Sequence, residues 1–293
     1  MGLFHCPLGA PYYDDDACID CGLCYAKAHE ERVEASRKIR EYMKAHTPRA
    51  STVSKIAVCG KGGSGKTTAV ALLALAFKEA GRSVIVIDAD ESNPGLGRML
   101  GIKGEIRPLS DLFGGDGLFA ERERFCMDEI PPGFVSAVDG LRFMEVGKIL
   151  DPFQGCACSL AESARQIVEK LELKDGEALI LDMEAGVESF GRGVERHADT
   201  ILIVVEPSFE SIVVAGRTAQ MACGMGIGRV GAVLNKMSSA AMASRTSQEL
   251  EKLGVKVFGV LNYSPDLAET AFEGGPVKNG VAVKEAGTII AAL

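Results

Sequence analysis

The chain has 293 residues, 47% of them hydrophobic and 25% charged, with a formal net charge of −8. This composition excludes disorder over most of the length, and the length fits one large α/β domain or one domain with a small appendage. The acidic balance excludes a general affinity for nucleic acid or anionic membrane, and no apolar run approaches ~18 residues. The opening residues lack the basic and apolar regions of a secretory signal, so the chain reads as cytoplasmic.

Nine cysteines in a reducing compartment point to metal or redox chemistry rather than disulfides. The first cluster is Cys18-Ile19-Asp20-Cys21-Gly22-Leu23-Cys24, preceded by Cys6-Pro7. A C-x₂-C-x₂-C run of this kind resembles ferredoxin loops, in which three thiolates converge on one face of a cubane. Ala28 stands where the fourth ferredoxin cysteine would be, and Cys6 is the nearby replacement. The reading is a [4Fe–4S] cluster on Cys6, Cys18, Cys21 and Cys24, with a zinc site or unligated thiols as alternatives. Residues 27–45 follow, strongly charged with a thin apolar stripe (Val33, Ile39, Met43) at helical spacing, and 46–52 reads as a linker. Residues 1–50 are therefore expected to form a cysteine-rich segment and helix, distinct from a domain at 51–293.

From residue 55 onward short apolar runs alternate with helix-like stretches. Strands are expected at 56–59, 83–88, 141–146, 178–182, 201–206, 230–235 and 255–261, and helices at 67–80, 159–171 and 211–223. Continuous apolar runs of this length suit strands buried on both faces. The alternation predicts an α/β fold, a mostly parallel sheet with helices on both faces. Cys59 and Cys223 are expected to be ordinary core packing.

Directly after the first strand comes Gly60-Lys61-Gly62-Gly63-Ser64-Gly65-Lys66-Thr67-Thr68, the spacing of a P-loop. Glycines let backbone N–H groups approach phosphate oxygens, and the following helix adds its N-terminal partial charge. Lys66 would neutralise the β- and γ-phosphates and the Thr67 hydroxyl would ligate Mg²⁺. The same residues satisfy the dinucleotide pattern G-x-G-x-x-G, with Asp88 near the place of its ribose-binding acid. Lys66-Thr67 at the helix start, and two carboxylates in Asp88-Ala89-Asp90, favour a triphosphate with Mg²⁺.

The second loop lysine, Lys61, makes the motif resemble the deviant Walker A of the MinD/ParA and nitrogenase iron protein superfamily. That resemblance implies a P-loop ATPase in which Lys61 reaches across a homodimer to the partner's nucleotide; a solvated loop lysine is the plainer alternative. Further matches follow in order. Leu179-Ile180-Leu181-Asp182 resembles Walker B, with Asp182 in the Mg²⁺ shell. Asp90 matches the switch I aspartate that orients the attacking water, and Gly186 the switch II glycine that senses the γ-phosphate. Val233-Leu234-Asn235-Lys236 ends a strand like the guanine-reading N-K-x-D motif, but Ser238 replaces its acid. Guanine needs that carboxylate, whereas Asn235 alone can pair with adenine, so ATP is expected.

Two segments narrow the match. Asp182-Met183-Glu184-Ala185-Gly186-Val187-Glu188, Gly191-Arg192-Gly193 and Glu206-Pro207-Ser208 resemble switch II and the next strand of CooC-type ATPases, which help insert nickel into carbon monoxide dehydrogenase. Gly155-Cys156-Ala157-Cys158 stands where that family carries a metal-binding C-x-C. The resemblance implies a metallochaperone whose ATP-driven dimer joins Cys156 and Cys158 of two subunits around Ni²⁺ or Zn²⁺. An interfacial cluster at these cysteines and an ATP-gated iron–sulfur reductase form the alternative. Where the family follows its strand near residue 260 with proline and an acid, this chain reads Leu261-Asn262-Tyr263-Ser264, which bears on the base pocket.

Overall fold

The computed structural model describes residues 31, 34, 37, 38, 54–113, 117–119, 121–149, 157–186 and 193–293. Cys6, Cys18, Cys21, Cys24 and Cys156, the stripe Val33-Ile39-Met43, the linker 46–52 and residues 187–192 of the switch II match lie outside the described residues. Glu31, Glu34, Arg37 and Lys38 are helical and exposed, as the spacing of that segment predicts.

Strand β1 (Lys55–Gly60) runs through the loop 61–65 into helix α1 (Lys66–Glu79) and on to β2 (Ser83–Ala89). Two single-turn helices, α2 (Leu96–Met99) and α3 (Ser110–Phe113), precede the short β3 (Phe125–Cys126), β4 (Ser136–Val138) and β5 (Leu141–Glu145). Then come α4 (Ala157–Lys170), β6 (Leu171–Glu172), β7 (Glu177–Met183), β8 (Thr200–Val205), α5 (Phe209–Gly224), β9 (Arg229–Met237) and α6 (Ala240–Lys252). The order closes with β10 (Val257–Asn262), α7 (Pro265–Glu273) and α8 (Val281–Ala291).

Eight strands form one sheet in the order β10-β9-β8-β1-β7-β2-β5-β4, while β3 and β6 pair separately. Every ladder in the large sheet is parallel except the edge pair β4–β5. Alternate residues of β1 face opposite sides. Ile56 and Val58 pack with Leu72 and Phe77 of α1 and with Ile289 of α8. Ala57 and Cys59 pack with Ile167 of α4 and Ala215 of α5. Both faces are thus covered, which is why the strands read as unbroken apolar runs. The α/β reading and the placement of the strands hold.

Two features depart from expectation. The antiparallel edge strand β4 is joined to β5 through Asp139-Gly140, both at positive φ (49° and 81°). An Asp-Gly pair in this conformation is a two-residue hairpin turn whose twist matches the strands it joins. Cys59 is buried as expected, its Sγ 3.7 Å from the Leu202 carbonyl, and burial pushes its thiol up. Cys223, expected in the core, is exposed. Helix α5 buries Ala215, Ala219 and Ala222, and one residue further on rotates the side chain ~100° away from that face.

Candidate nucleotide site

The site is built at the C-terminal ends of β1, β7, β2, β8 and β9, where open parallel sheets place their ligands. Gly65, the N-cap of α1, sits at φ +91°, and no side chain caps the first helical amides. Those amides and the helix dipole therefore face the loop without an internal partner, a ready position for phosphate. A Cβ at residue 65 would strike the Asn235 amide, so the loop needs glycine there for space as well as for its left-handed backbone.

Strand β9 braces the loop from below. Asn235 Nδ2 donates to the Ser64 carbonyl at 2.8 Å, and Lys236 Nζ donates to the Gly63 carbonyl at 2.5 Å. Lys236 itself lies at φ +58°, an uncommon conformation for a residue with a side chain. Glu206, just beyond β8, receives Lys61 Nζ at 3.0 Å and Lys236 Nζ at 3.1 Å. Burial raises the Glu206 carboxyl, but the two lysines outweigh it and hold the group below the usual carboxylate range. Gly186 N donates to the Gly60 carbonyl at 3.1 Å, bringing the end of the β7 loop beside the P-loop.

Three carboxylates gather beside this loop. Asp88 and Asp182 are register partners at the ends of β2 and β7. Burial pushes the Asp182 carboxyl up to about 8, helped by Asp88 and opposed by the Thr67 hydroxyl and Lys66. Burial likewise moves Asp88 up to about 6, against the pull of Lys148, whose Nζ lies 2.8 Å from Asp88 Oδ2. Asp90 is buried, its Oδ1 accepting from Ser92 N at 2.9 Å and Ser92 Oγ at 2.6 Å. Asn93 Nδ2 donates to Thr67 Oγ1 at 3.1 Å, tying the Asp90 loop to the start of α1.

These residues fit a magnesium nucleotide. Asp182 Oδ1 and Ser64 Oγ are buried polar atoms with no hydrogen-bond partner, beside Lys66, Thr67 and uncapped helical amides. A buried carboxylate pushed toward neutrality is satisfied when a cation takes its place in the shell. Thr67 and Asp182 are the pair that would hold it.

The structure thus brings together Gly60 to Thr68, Asp90, Asp182, Gly186 and Asn235. Ala157 and Cys158 form the first residues of α4, and Cys156 precedes them outside the described residues. Among the described residues, no group of three or more His, Cys, Asp or Glu side chains is arranged to hold a metal ion. The proline and acid that the family carries after its strand near residue 260 are present here too, as Pro265 and Asp266 immediately after the quoted run. Ser264 caps α7, accepting from Leu267 N at 3.3 Å, with Pro265 in its first turn and Asp266 following. The Ser-Pro-Asp order is a helix-start signal that could have been read. Glu206 and Lys236 are also site residues by geometry, and so is Lys148, whose only sequence signal is a charge placed just past a strand.

The comparisons agree with this architecture. The chain is similar to MinD of Pyrococcus horikoshii, solved with Mg-ADP: TM-score 0.63 and 17% identity, covering 82% of this chain and 95% of that one. An uncharacterized ATP-binding protein of Methanocaldococcus jannaschii is 32% identical over 233 residues, 76% of this chain and 90% of the relative. The carbon monoxide dehydrogenase accessory protein CooC of Rhodospirillum rubrum is 33% identical over 201 residues, 63% of this chain and 75% of the relative. No helix among the described residues is long and apolar enough to cross a membrane. Residues 55–277 match the family described as the CobQ/CobB/MinD/ParA nucleotide binding domain, and with its P-loop, parallel sheet and paired carboxylates the chain belongs to that family.

Proposed function

We propose that the chain is an ATP-hydrolysing metallochaperone that helps deliver nickel to carbon monoxide dehydrogenase or a related metalloenzyme. The observation that carries the ATPase part is the buried, unpartnered Asp182 oxygen beside Lys66, Thr67 and the uncapped α1 amides. Lys66 binds the β- and γ-phosphates, Thr67 and Asp182 hold Mg²⁺, Asp90 orients the attacking water, and Gly186 registers the γ-phosphate. Water attacks the γ-phosphorus, the bond to the β–γ bridging oxygen breaks, and ADP and phosphate leave. Asn235 reads adenine from its place under the loop. Lys61 leaves Glu206 to reach the nucleotide of a second subunit, which makes dimerisation nucleotide-dependent.

The metal part is supported by the likeness to CooC and by the motif Cys156-Ala157-Cys158, whose last two residues open α4. Two thiolates from one chain fall short of the four donors that Zn²⁺ or square-planar Ni²⁺ prefers, and a two-fold dimer supplies four. Residues 1–50 carry a separate [4Fe–4S] cluster on Cys6, Cys18, Cys21 and Cys24. The test is anaerobic metal titration of the full chain with and without a non-hydrolysable ATP analogue. The expected result at the Cys156–Cys158 motif is about half an ion per chain, bound by dimers and lost in Cys156→Ser or Cys158→Ser. A full ion per chain bound by monomers overturns the interfacial site. Iron and sulfide at that motif convert the reading to an ATP-gated reductase.

A further inference from the structure

Lys148 belongs to no nucleotide motif, yet its ammonium is a buried node of the site. Its Nζ lies 2.8 Å from Asp88 Oδ2, and donates to the Asp90 carbonyl at 2.5 Å and the Asn93 carbonyl at 2.8 Å. Three acceptors saturate the three N–H donors of an ammonium, so the group has one geometry available rather than a range. The segment carrying it runs beside the Asp90 loop: Val146 N donates to the Asp88 carbonyl at 2.9 Å, and Ile149 N to the Glu91 carbonyl at 3.2 Å. Lys148 therefore grips both sides of Asp90. Asp88 lies before it, and Asn93, whose amide reaches Thr67, lies after it.

The same segment touches α4. Gly147 lies at φ +154°, and a Cβ there would stand 2.8 Å from Leu160 Cδ2. The backbone thus passes against the first turns of the helix, two residues beyond Cys158. A contiguous set of contacts runs from Thr67 through Asn93, Lys148 and Gly147 to the cysteine-bearing end of α4.

We propose that Lys148 is a positioning residue for ATP hydrolysis, fixing the Asp90 loop against Thr67 and coupling that loop to the start of α4. The inference rests on the role given to Asp90 above. Lys148 makes no use of its charge on the nucleotide. It sets where the Asp90 loop lies, so its loss slows turnover while leaving the phosphate cradle of α1 intact. Misplacing a catalytic group by ~1 Å costs on the order of 100-fold in rate.

The test compares wild type, Lys148→Met, Lys148→Arg and Asp90→Asn as full chains, measuring Mg-ATP turnover and equilibrium binding of a fluorescent ATP analogue. Zn²⁺ affinity is measured in parallel with a non-hydrolysable ATP analogue and with ADP. Lys148→Met is expected to lower kcat by about 10–100-fold with less than ~3-fold change in nucleotide affinity. Lys148→Arg keeps the charge and recovers part of the rate. The ratio of Zn²⁺ affinities between the ATP-analogue and ADP states should fall toward unity in Lys148→Met, because coupling between two binding sites is reciprocal. A purely structural lysine would lower stability without splitting kcat from affinity. Wild-type kcat in Lys148→Met, alongside an inactive Asp90→Asn, overturns the inference and leaves the Asp90 role standing. Wild-type kcat in Asp90→Asn overturns the Asp90 role itself. Should Lys148→Met fail to fold, the neutral pair Lys148→Met/Asp88→Asn is compared with Asp88→Asn alone. Equal rates overturn the proposal, and a further loss in the pair supports it.

Discussion

Replacing Asp182 by Asn should make the nucleotide-free chain less sensitive to pH, and the size of the effect follows from the burial of the carboxyl. In the folded chain burial and the neighbouring Asp88 push that group from 3.8 to about 8. In the unfolded chain it returns to the ordinary value, so between about pH 4 and pH 8 the folded state holds a proton that the unfolded state has released. The stability this group contributes is therefore full below about pH 4 and is lost as pH rises through about 8. At 1.36 kcal/mol for each pH unit, the whole window amounts to ~5 kcal/mol and the interval from pH 5 to 7 to ~2–3 kcal/mol. Asparagine has no proton to lose. The unfolding free energy of Asp182→Asn, measured relative to wild type by urea titration without nucleotide at pH 5, 6, 7 and 8, should improve by ~2–3 kcal/mol between pH 5 and 7. Asp88, raised to about 6, titrates in both chains and so enters the comparison mainly through its coupling to residue 182. Mg-ATP should then stabilise wild type far more than Asp182→Asn, reversing the order. A difference between the two chains that stays constant from pH 5 to 8 would refute the reasoning.

Three further outcomes are expected. Lys66→Ala should weaken ATP binding by about 10–150-fold, since a charge-assisted contact to phosphate is worth about 1.5–3 kcal/mol; fluorescence titration measures it. Gly65→Ala places a side chain at φ +91° and against the Asn235 amide. The left-handed backbone alone costs ~1–2 kcal/mol, so ATP affinity should fall by at least ~5-fold while the sheet stays folded by circular dichroism. Site-mapped alkylation of the native chain should modify the exposed Cys223 rapidly and spare Cys59, whose thiol is buried and pushed up, until the protein unfolds.

The loop from Gly60 to Thr68 was legible in the sequence because its function is local: glycines, a lysine and a hydroxyl at fixed spacing behind a strand. The strands were legible for a different local reason. A parallel strand covered on both faces by helices has no solvent side, so its residues read as one apolar run, as in Ile201 to Val205. The helical residues Glu31, Glu34, Arg37 and Lys38 show the limit of such reading, since charged residues at this spacing fit a helix without saying what it packs against.

Facing and pairing were decided only in three dimensions. Cys223 and Ala222 are neighbours in sequence, and only the packing of α5 on the sheet determines that one is covered and the other exposed. The Asp139-Gly140 turn could have been read, yet the antiparallel pairing of β4 on β5 depends on which sheet edge remained open. Lys61 meets Glu206 at a separation of 145 residues, and Lys148 meets the Asp90 carbonyl at a separation of 58. No periodicity records such contacts, because each follows from the order in which strands stand side by side. Sequence therefore determined the phosphate loop and the alternation of strand and helix, which depend on neighbours a few residues away. The placing of charges around that loop was decided by the β8-β1-β7-β2 order, which brings the ends of distant strands within hydrogen-bonding reach.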